Sequence, residues 1–124
     1  MKEKNIIYRQ TQIVYKTTGT GSPVVLIHGF AEDSTIWDNQ VDFLKDKYRL
    51  IIPALPGSGK SELITNNDTS LEDYAAIIKQ ILDKEKIETC IMIGHSMGGY
   101  ITLAFAEKYN TSLNTNTIDQ SEKV

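Results

Sequence analysis

The stretch Cys90-Ile91-Met92-Ile93-Gly94-His95-Ser96-Met97-Gly98-Gly99-Tyr100 decides the fold of this chain. A short apolar run ends at Gly94, Ser96 follows two residues later, and Gly98 stands two residues after the serine. A strand that turns sharply into a helix holds its apex residue in a strained conformation, and the crowded backbone leaves room only for glycine two positions to either side. The spacing therefore predicts an exposed Ser96 hydroxyl at the amino end of a helix, where free N–H groups favour negative charge.

The segments around this turn decide whether it is a nucleophile elbow or only a glycine-rich turn. Residues 24–27, 48–52 and 90–93 are short apolar runs bounded by proline or glycine, as in strands buried on both faces of a parallel sheet. Helical patterns lie between and after them, at 35–45, from Ser70 to about Leu82, and at 99–109, and two short β-rich pieces at 6–8 and 12–16 predict a hairpin. Strands that alternate with helices predict an α/β fold with a mostly parallel sheet and crossover helices.

Two local expectations concern the first of these helices. Residues 32–34 can cap it, and its inner side is expected to carry Trp37, Val41 and the pair Phe43-Leu44.

Composition excludes several classes of function. Hydrophobic residues make up 40% and charged residues 23% of the 124 residues, as in an ordinary globular protein. The formal net charge of −3 gives no indication of a nucleic-acid or anionic-membrane partner. The first residues contain no apolar segment typical of a signal peptide or a membrane span, so the sequence predicts a cytoplasmic protein.

A second motif, His28-Gly29-Phe30, follows the strand predicted at 24–27. One interpretation is an oxyanion-hole loop, in which the backbone N–H of Phe30 points at the same spot as the N–H of Met97. The other is a simple strand-to-helix turn in which His28 bonds locally. The elbow at Ser96 favours the oxyanion hole.

The third motif, Ala54-Leu55-Pro56-Gly57-Ser58-Gly59-Lys60-Ser61, nearly matches a phosphate-binding loop. Such a loop needs a helix that begins at Lys60 and Ser61, but residues 62–68 show no helical face. In addition, Pro56 removes one of the N–H donors that would hold a phosphate. A phosphate-loop NTPase is therefore only the third candidate.

Together, the three motifs resemble the amino-terminal half of an α/β-hydrolase of the serine-nucleophile kind. The motif at 54–61 is the middle one in chain order and is called the middle motif below. The family commonly has aspartate at its first position, where this chain has Ala54. The resemblance implies a hydrolase for an ester, amide or related acyl bond of a small molecule, without cofactor or metal. It implies Ser96 as nucleophile and the N–H groups of Phe30 and Met97 as oxyanion donors. The remaining residues assigned to the site are His28, Gly29 and His95.

In this family the acid and the histidine of the triad follow the nucleophile, but no histidine follows Ser96 here. The sequence therefore predicts a truncated and inactive form, with the hydrolase part at 1–110 and a polar, disordered tail at 111–124. The alternative is a non-enzymatic binding module or fragment that keeps the front half of the fold. Because the tail is expected to be too polar to add a strand, residues 90–93 are expected to form an exposed sheet edge that promotes self-association.

Overall fold

The computed structural model describes residues 1–64 and 69–109 in full and the backbone of 118–120. The chain begins with an antiparallel hairpin of strands β1 (Lys2–Tyr8) and β2 (Thr11–Thr18). Arg9 and Gln10 form the turn, and both have positive φ, 48° and 64°, as a tight two-residue hairpin turn requires. The predicted hairpin is confirmed, with strands longer than the β-rich pieces alone indicated.

The sheet is mixed, with a parallel centre. Its further strands are β3 (Ser22–Ile27), β4 (Tyr48–Pro53), β5 (Ile91–His95) and β6 (Ile118–Gln120), and the spatial order is β1-β2-β4-β3-β5-β6. Strand β3 pairs in parallel with both β4 and β5, whereas β2 pairs antiparallel with β4. This arrangement confirms the predicted α/β class, and it brings the carboxyl ends of β3, β4 and β5, where the three motifs begin, to one edge of the sheet.

Among the described residues, three α-helices and one 3₁₀ turn accompany the sheet. Helix α1 (Asp38–Leu44) follows a 3₁₀ turn at Ser34–Trp37, so the helix predicted at 35–45 is in fact two pieces. Helix α2 (Leu71–Lys84) begins with a capping box, in which Ser70 and Asp73 bond each other's backbone N–H groups. Helix α3 (Met97–Lys108) follows the elbow directly.

Alternate residues along the central strands face two separate cores. Val25, Ile27, Ile51 and Met92 lie in the core beneath α2 and α3, and the intervening residues of the same strands face Trp37 and Val41 on the other side. The expected inward position of Phe43 is wrong, because its side chain is 84% exposed. Two residues along a helix are separated by about 200°, so burial of Val41 turns Phe43 to the outside.

The tail differs in part from expectation. Ile118, Asp119 and Gln120 pair in parallel with Ile93, Gly94 and His95 of β5, although the sequence predicted that the tail adds no strand. Backbone N–H and C=O groups can complete a ladder whatever the polarity of the side chains, which hydropathy alone does not reveal. Residues 110–117 and 121–124, for which disorder was predicted, lie outside the described residues. The expectation that residues 90–93 form an exposed sheet edge is wrong at Ile93, because β6 pairs there and β5 is not the last strand of the sheet. Self-association of the chain remains a prediction.

Candidate active site

The turn between β5 and α3 has the geometry of a nucleophile elbow. Ser96 stands at its apex with φ 56° and ψ −119°, a strained conformation for a residue with a side chain. A Cβ at Gly94 would lie 2.1 Å from the carbonyl oxygen of Gly98, and one at Gly98 would lie 2.3 Å from that of Ile27. Both glycines of the motif are therefore sterically required.

The hydroxyl of Ser96 does not cap helix α3. Serine at the first position of a helix normally accepts a hydrogen bond from an N–H of the first turn. The Ser96 side chain makes no such bond, and the turn is closed instead by the N–H of Gly99, which donates to the carbonyl oxygen of Ser96 at 2.8 Å. The serine hydroxyl is therefore not used for capping.

The loop His28-Gly29-Phe30 lies against this elbow. A Cβ at Gly29 would be 3.0 Å from the Cβ of Ser96 and 3.0 Å from the carbonyl oxygen of His95. Phe30 and Met97, the two residues predicted to provide oxyanion donors, line one cleft of about 280 Å³. The structure thus brings the His28-Gly29-Phe30 loop and the elbow at Ser96 together.

His28 is buried and holds two loops together. The backbone N–H of Leu55 donates to its Nε2 at 3.0 Å, and its Nδ1 lies 2.9 Å from the carbonyl oxygen of Gly29. Burial lowers the pKa of His28, although the bond to Gly29 acts in the opposite direction. Backbone groups engage both ring nitrogens. The contact with Gly29 is the local bond expected for a simple turn, and the bond from Leu55 links His28 to the middle motif.

Glu32 is the site residue that sequence reasoning missed. Its Oε1 accepts a hydrogen bond from the N–H of Gly29 at 2.7 Å and lies 3.1 Å from Nδ1 of His95. The sequence offered Glu32 only as one of three possible helix caps, and Asp33 is the residue that caps the 3₁₀ turn. The sequence places the Glu32 carboxylate three residues after Gly29, which could have indicated the bond to the N–H of Gly29. The contact with His95 could not be predicted, because it depends on the fold.

Apart from the imidazole of His28, the cleft beside the elbow is lined by no acidic or basic side chain. Its walls come from the oxyanion loop, the middle motif and α2, and the lining residues with large apolar or aromatic side chains are Phe30, Leu55, Pro56, Leu63, Tyr74 and Met97. Phe30 is 79% exposed at its rim. The cleft can therefore accept an apolar group next to Met97, the residue that follows Ser96.

Comparison with known proteins gives these features a family. The family model of the alpha/beta hydrolase fold matches residues 22–121, which include all three motifs. The chain belongs to the α/β-hydrolase family. Among its described residues, no helix is both long enough and apolar enough to cross a membrane.

The relatives of this α/β-hydrolase chain differ in the activities their names give. A 2-hydroxy-6-oxononadienedioate/2-hydroxy-6-oxononatrienedioate hydrolase of Paraburkholderia phymatum is 35% identical over 105 residues, which are 81% of this chain and 36% of that protein. An uncharacterised protein of Mycobacterium tuberculosis is 32% identical over 95 residues, 77% of this chain and 28% of its own length. The structure of a thermophilic esterase from Thermogutta terrifontis superimposes with a TM-score of 0.83 at 33% identity, covering 91% of this chain and 43% of the esterase. The chain thus spans less than half the length of each of these proteins.

The middle motif of the hydrolase chain is a structural loop. The hydroxyl of Ser61 donates to the carbonyl oxygen of Ala54 at 2.6 Å and accepts from the N–H of Val14 at 2.8 Å. Lys60 pairs with Glu3 at 3.2 Å, and the described residues 60–64 form no helix. Because the last two residues of the would-be phosphate motif are already engaged and no helix N-terminus lies beside them, the phosphate-loop alternative does not fit.

Proposed function

We propose that the chain is part of a serine hydrolase in which Ser96 attacks the carbonyl carbon of an ester, amide or related acyl bond. The observation that carries this proposal is the strained apex position of Ser96, with a side chain that does not cap α3. The family membership supports it, because a serine at this elbow is the nucleophile of many α/β-hydrolases. The apolar cleft lined by Phe30 and Met97 supports an acyl group as the part of the substrate that lies beside the serine.

Attack by the Ser96 hydroxyl turns the carbonyl oxygen of the substrate into an oxyanion. We assign its stabilisation to the backbone N–H groups of Phe30 and Met97, which lie on the two segments that meet at Gly29. Preorganised donors of this kind act where charge develops in the transition state, and loss of one typically lowers kcat by about 10²–10³-fold.

The proton of the Ser96 hydroxyl needs a base, and the 124 residues offer histidine only at positions 28 and 95. Both nitrogens of His28 are engaged, and Nδ1 of His95 faces Glu32. We therefore expect residues 1–124 alone to be inactive as an esterase, since a serine hydroxyl without a base is a weak nucleophile. A cytoplasmic location remains a prediction of the sequence.

Chemical rescue tests this proposal on the chain itself. The chain and its Ser96→Ala variant are treated with p-nitrophenyl acetate, with and without free imidazole, and acetylation is mapped by mass spectrometry. Without imidazole, both should release nitrophenolate at the same rate. With imidazole as the external base, the peptide that contains Ser96 should become acetylated in the wild type only. A folded wild-type chain with no acetylation of Ser96 under these conditions would overturn the assignment.

A further inference from the structure

Glu32 makes contacts on both sides of the proposed oxyanion hole. One of its carboxylate oxygens, Oε1, accepts the N–H of Gly29 and faces the imidazole of His95. Gly29 precedes Phe30, and His95 precedes Ser96 in the elbow that leads to Met97. A single side chain therefore connects the two segments that carry the proposed donors.

The backbone of Gly29 is fixed at both of its polar groups. Its N–H is held by the Glu32 carboxylate, and its carbonyl oxygen lies 2.9 Å from Nδ1 of His28 and 3.3 Å from the N–H of Glu32. In a planar trans peptide, C=O and N–H point in opposite directions. Fixing the carbonyl of Gly29 therefore fixes the direction of the N–H of Phe30.

We propose that Glu32 is a positioning residue of the oxyanion hole, whose carboxylate ties the loop of Phe30 to the elbow of Ser96 through Gly29 and His95. This inference rests on the proposed function of Ser96. The role of Glu32 is geometric, because a negative charge near the hole opposes the formation of an oxyanion. A loop that loses this tie can move, and a small misplacement of a donor weakens its effect on the transition state.

The hydrogen bonds to Glu32 favour an ionised carboxylate. His28 and Asp33 lie on the same loop, and His95 faces it from β5. Partial burial acts to raise the pKa of Glu32, but the bonds from His95 and from the N–H of Gly29 outweigh it and hold this pKa below its usual value of 4.5. At neutral pH, Glu32 therefore accepts both hydrogen bonds as a carboxylate.

Three variants distinguish the loss of the Glu32 contacts to Gly29 and His95 from the loss of a nearby negative charge. Glu32→Ala removes both contacts, Glu32→Gln keeps an oxygen that can accept the N–H of Gly29, and Asp33→Asn removes a neighbouring charge that bonds Thr35 instead of Gly29. In the imidazole-rescued acetylation of Ser96, we expect at least a tenfold slower rate for Glu32→Ala. Glu32→Gln should lie between this variant and the wild type, and Asp33→Asn should match the wild type.

The amide resonance of Gly29 provides a readout that does not depend on catalysis. In ¹⁵N-resolved spectra of the full chain, it should titrate with an apparent pKa below 4.5, and this titration should disappear in Glu32→Gln but persist in Asp33→Asn. If Ser96 is never acetylated, the proposed function fails, but the titration still tests the hydrogen bond between Gly29 and Glu32. Two results would overturn the positioning role of Glu32. One is a Gly29 amide resonance that does not titrate with Glu32, and the other is a Glu32→Ala chain that is acetylated as fast as the wild type.

Discussion

Nε2 of His28 accepts the backbone N–H of Leu55 at 3.0 Å, so one imidazole joins the oxyanion loop to the middle motif. Because a backbone N–H can only donate, Nε2 carries no proton, and the proton on Nδ1 faces the carbonyl oxygen of Gly29. Protonation of His28 would add a hydrogen to Nε2 and break the bond to Leu55. The link between the two loops therefore requires the neutral ring.

This bond predicts a pH dependence of stability. The pKa of His28 is lowered in the folded chain from its usual value of 6.5, so the unfolded chain binds more protons below that pH. The stabilisation is complete above about pH 6.5 and is lost as the pH falls through the lower folded pKa. Urea unfolding measured between about pH 7 and pH 5, above the range in which carboxylates titrate, should show a decline in the free energy of unfolding.

Variants at the same position test the origin of this decline. His28→Asn and His28→Gln cannot titrate, so we expect both to be less stable than the wild type near pH 7 and to show a flatter profile. The loss near pH 7 should be about 1–3 kcal/mol, the cost of leaving a buried N–H without its acceptor. A decline of unchanged size in both variants would show that another group causes it.

Ser61 makes the other critical link of the middle motif. Its hydroxyl joins Ala54 to Val14, so Ser61→Ala should leave a buried carbonyl and a buried N–H unpaired and lower the free energy of unfolding by about 1–3 kcal/mol. Ser58→Ala is a matched control in the same loop, because Ser58 uses its backbone N–H to bond the carbonyl oxygen of Leu55. Equal stabilities of the two variants in urea titrations would contradict this account.

The elbow and the positions of the central strands along the chain could be predicted from the sequence because they depend on local rules. Two glycines around Ser96, and apolar runs that end at His28 and Pro53, indicate where strands stop and which residues must be small. The bonds of Glu32 to His95 and of His28 to Leu55 join residues 63 and 27 positions apart. Hydrophobic periodicity does not indicate such partners, because only the folded sheet brings them to one edge.

The same difference between local rules and the complete fold explains the errors at Phe43 and in the tail. Phe43 lies at the end of a helix of only seven residues, where a shift of the helix start changes which side chains face inward. Pairing of Ile118 with Ile93 is made by the backbone, so the polar composition of the tail carried no information about it.

A buried charge cluster stands apart from the candidate site. The Glu85 side chain is only 3% exposed, and its carboxylate lies 2.6 Å from the guanidinium of Arg49 and 3.1 Å from Nζ of Lys4. The hydroxyl of Tyr15 also donates to it. Burial acts to raise the pKa of Glu85, but these three hydrogen bonds outweigh it and hold the pKa below its usual value of 4.5. The cluster joins β1, β2 and β4 to the end of α2.

Removal of this carboxylate should destabilise the chain strongly. Glu85→Ala leaves Arg49 and Lys4 without their partner, and breaking a buried ion pair costs about 3–5 kcal/mol. The loss should fall near the lower end of that range, because the two cations are about a third exposed and regain some hydration. Asp83→Ala breaks the exposed pair of Asp83 with Lys79, and its loss should stay within about 0.5 kcal/mol. Urea unfolding at neutral pH compares the two variants. Similar losses would mean that the Glu85 cluster contributes no more than a surface ion pair.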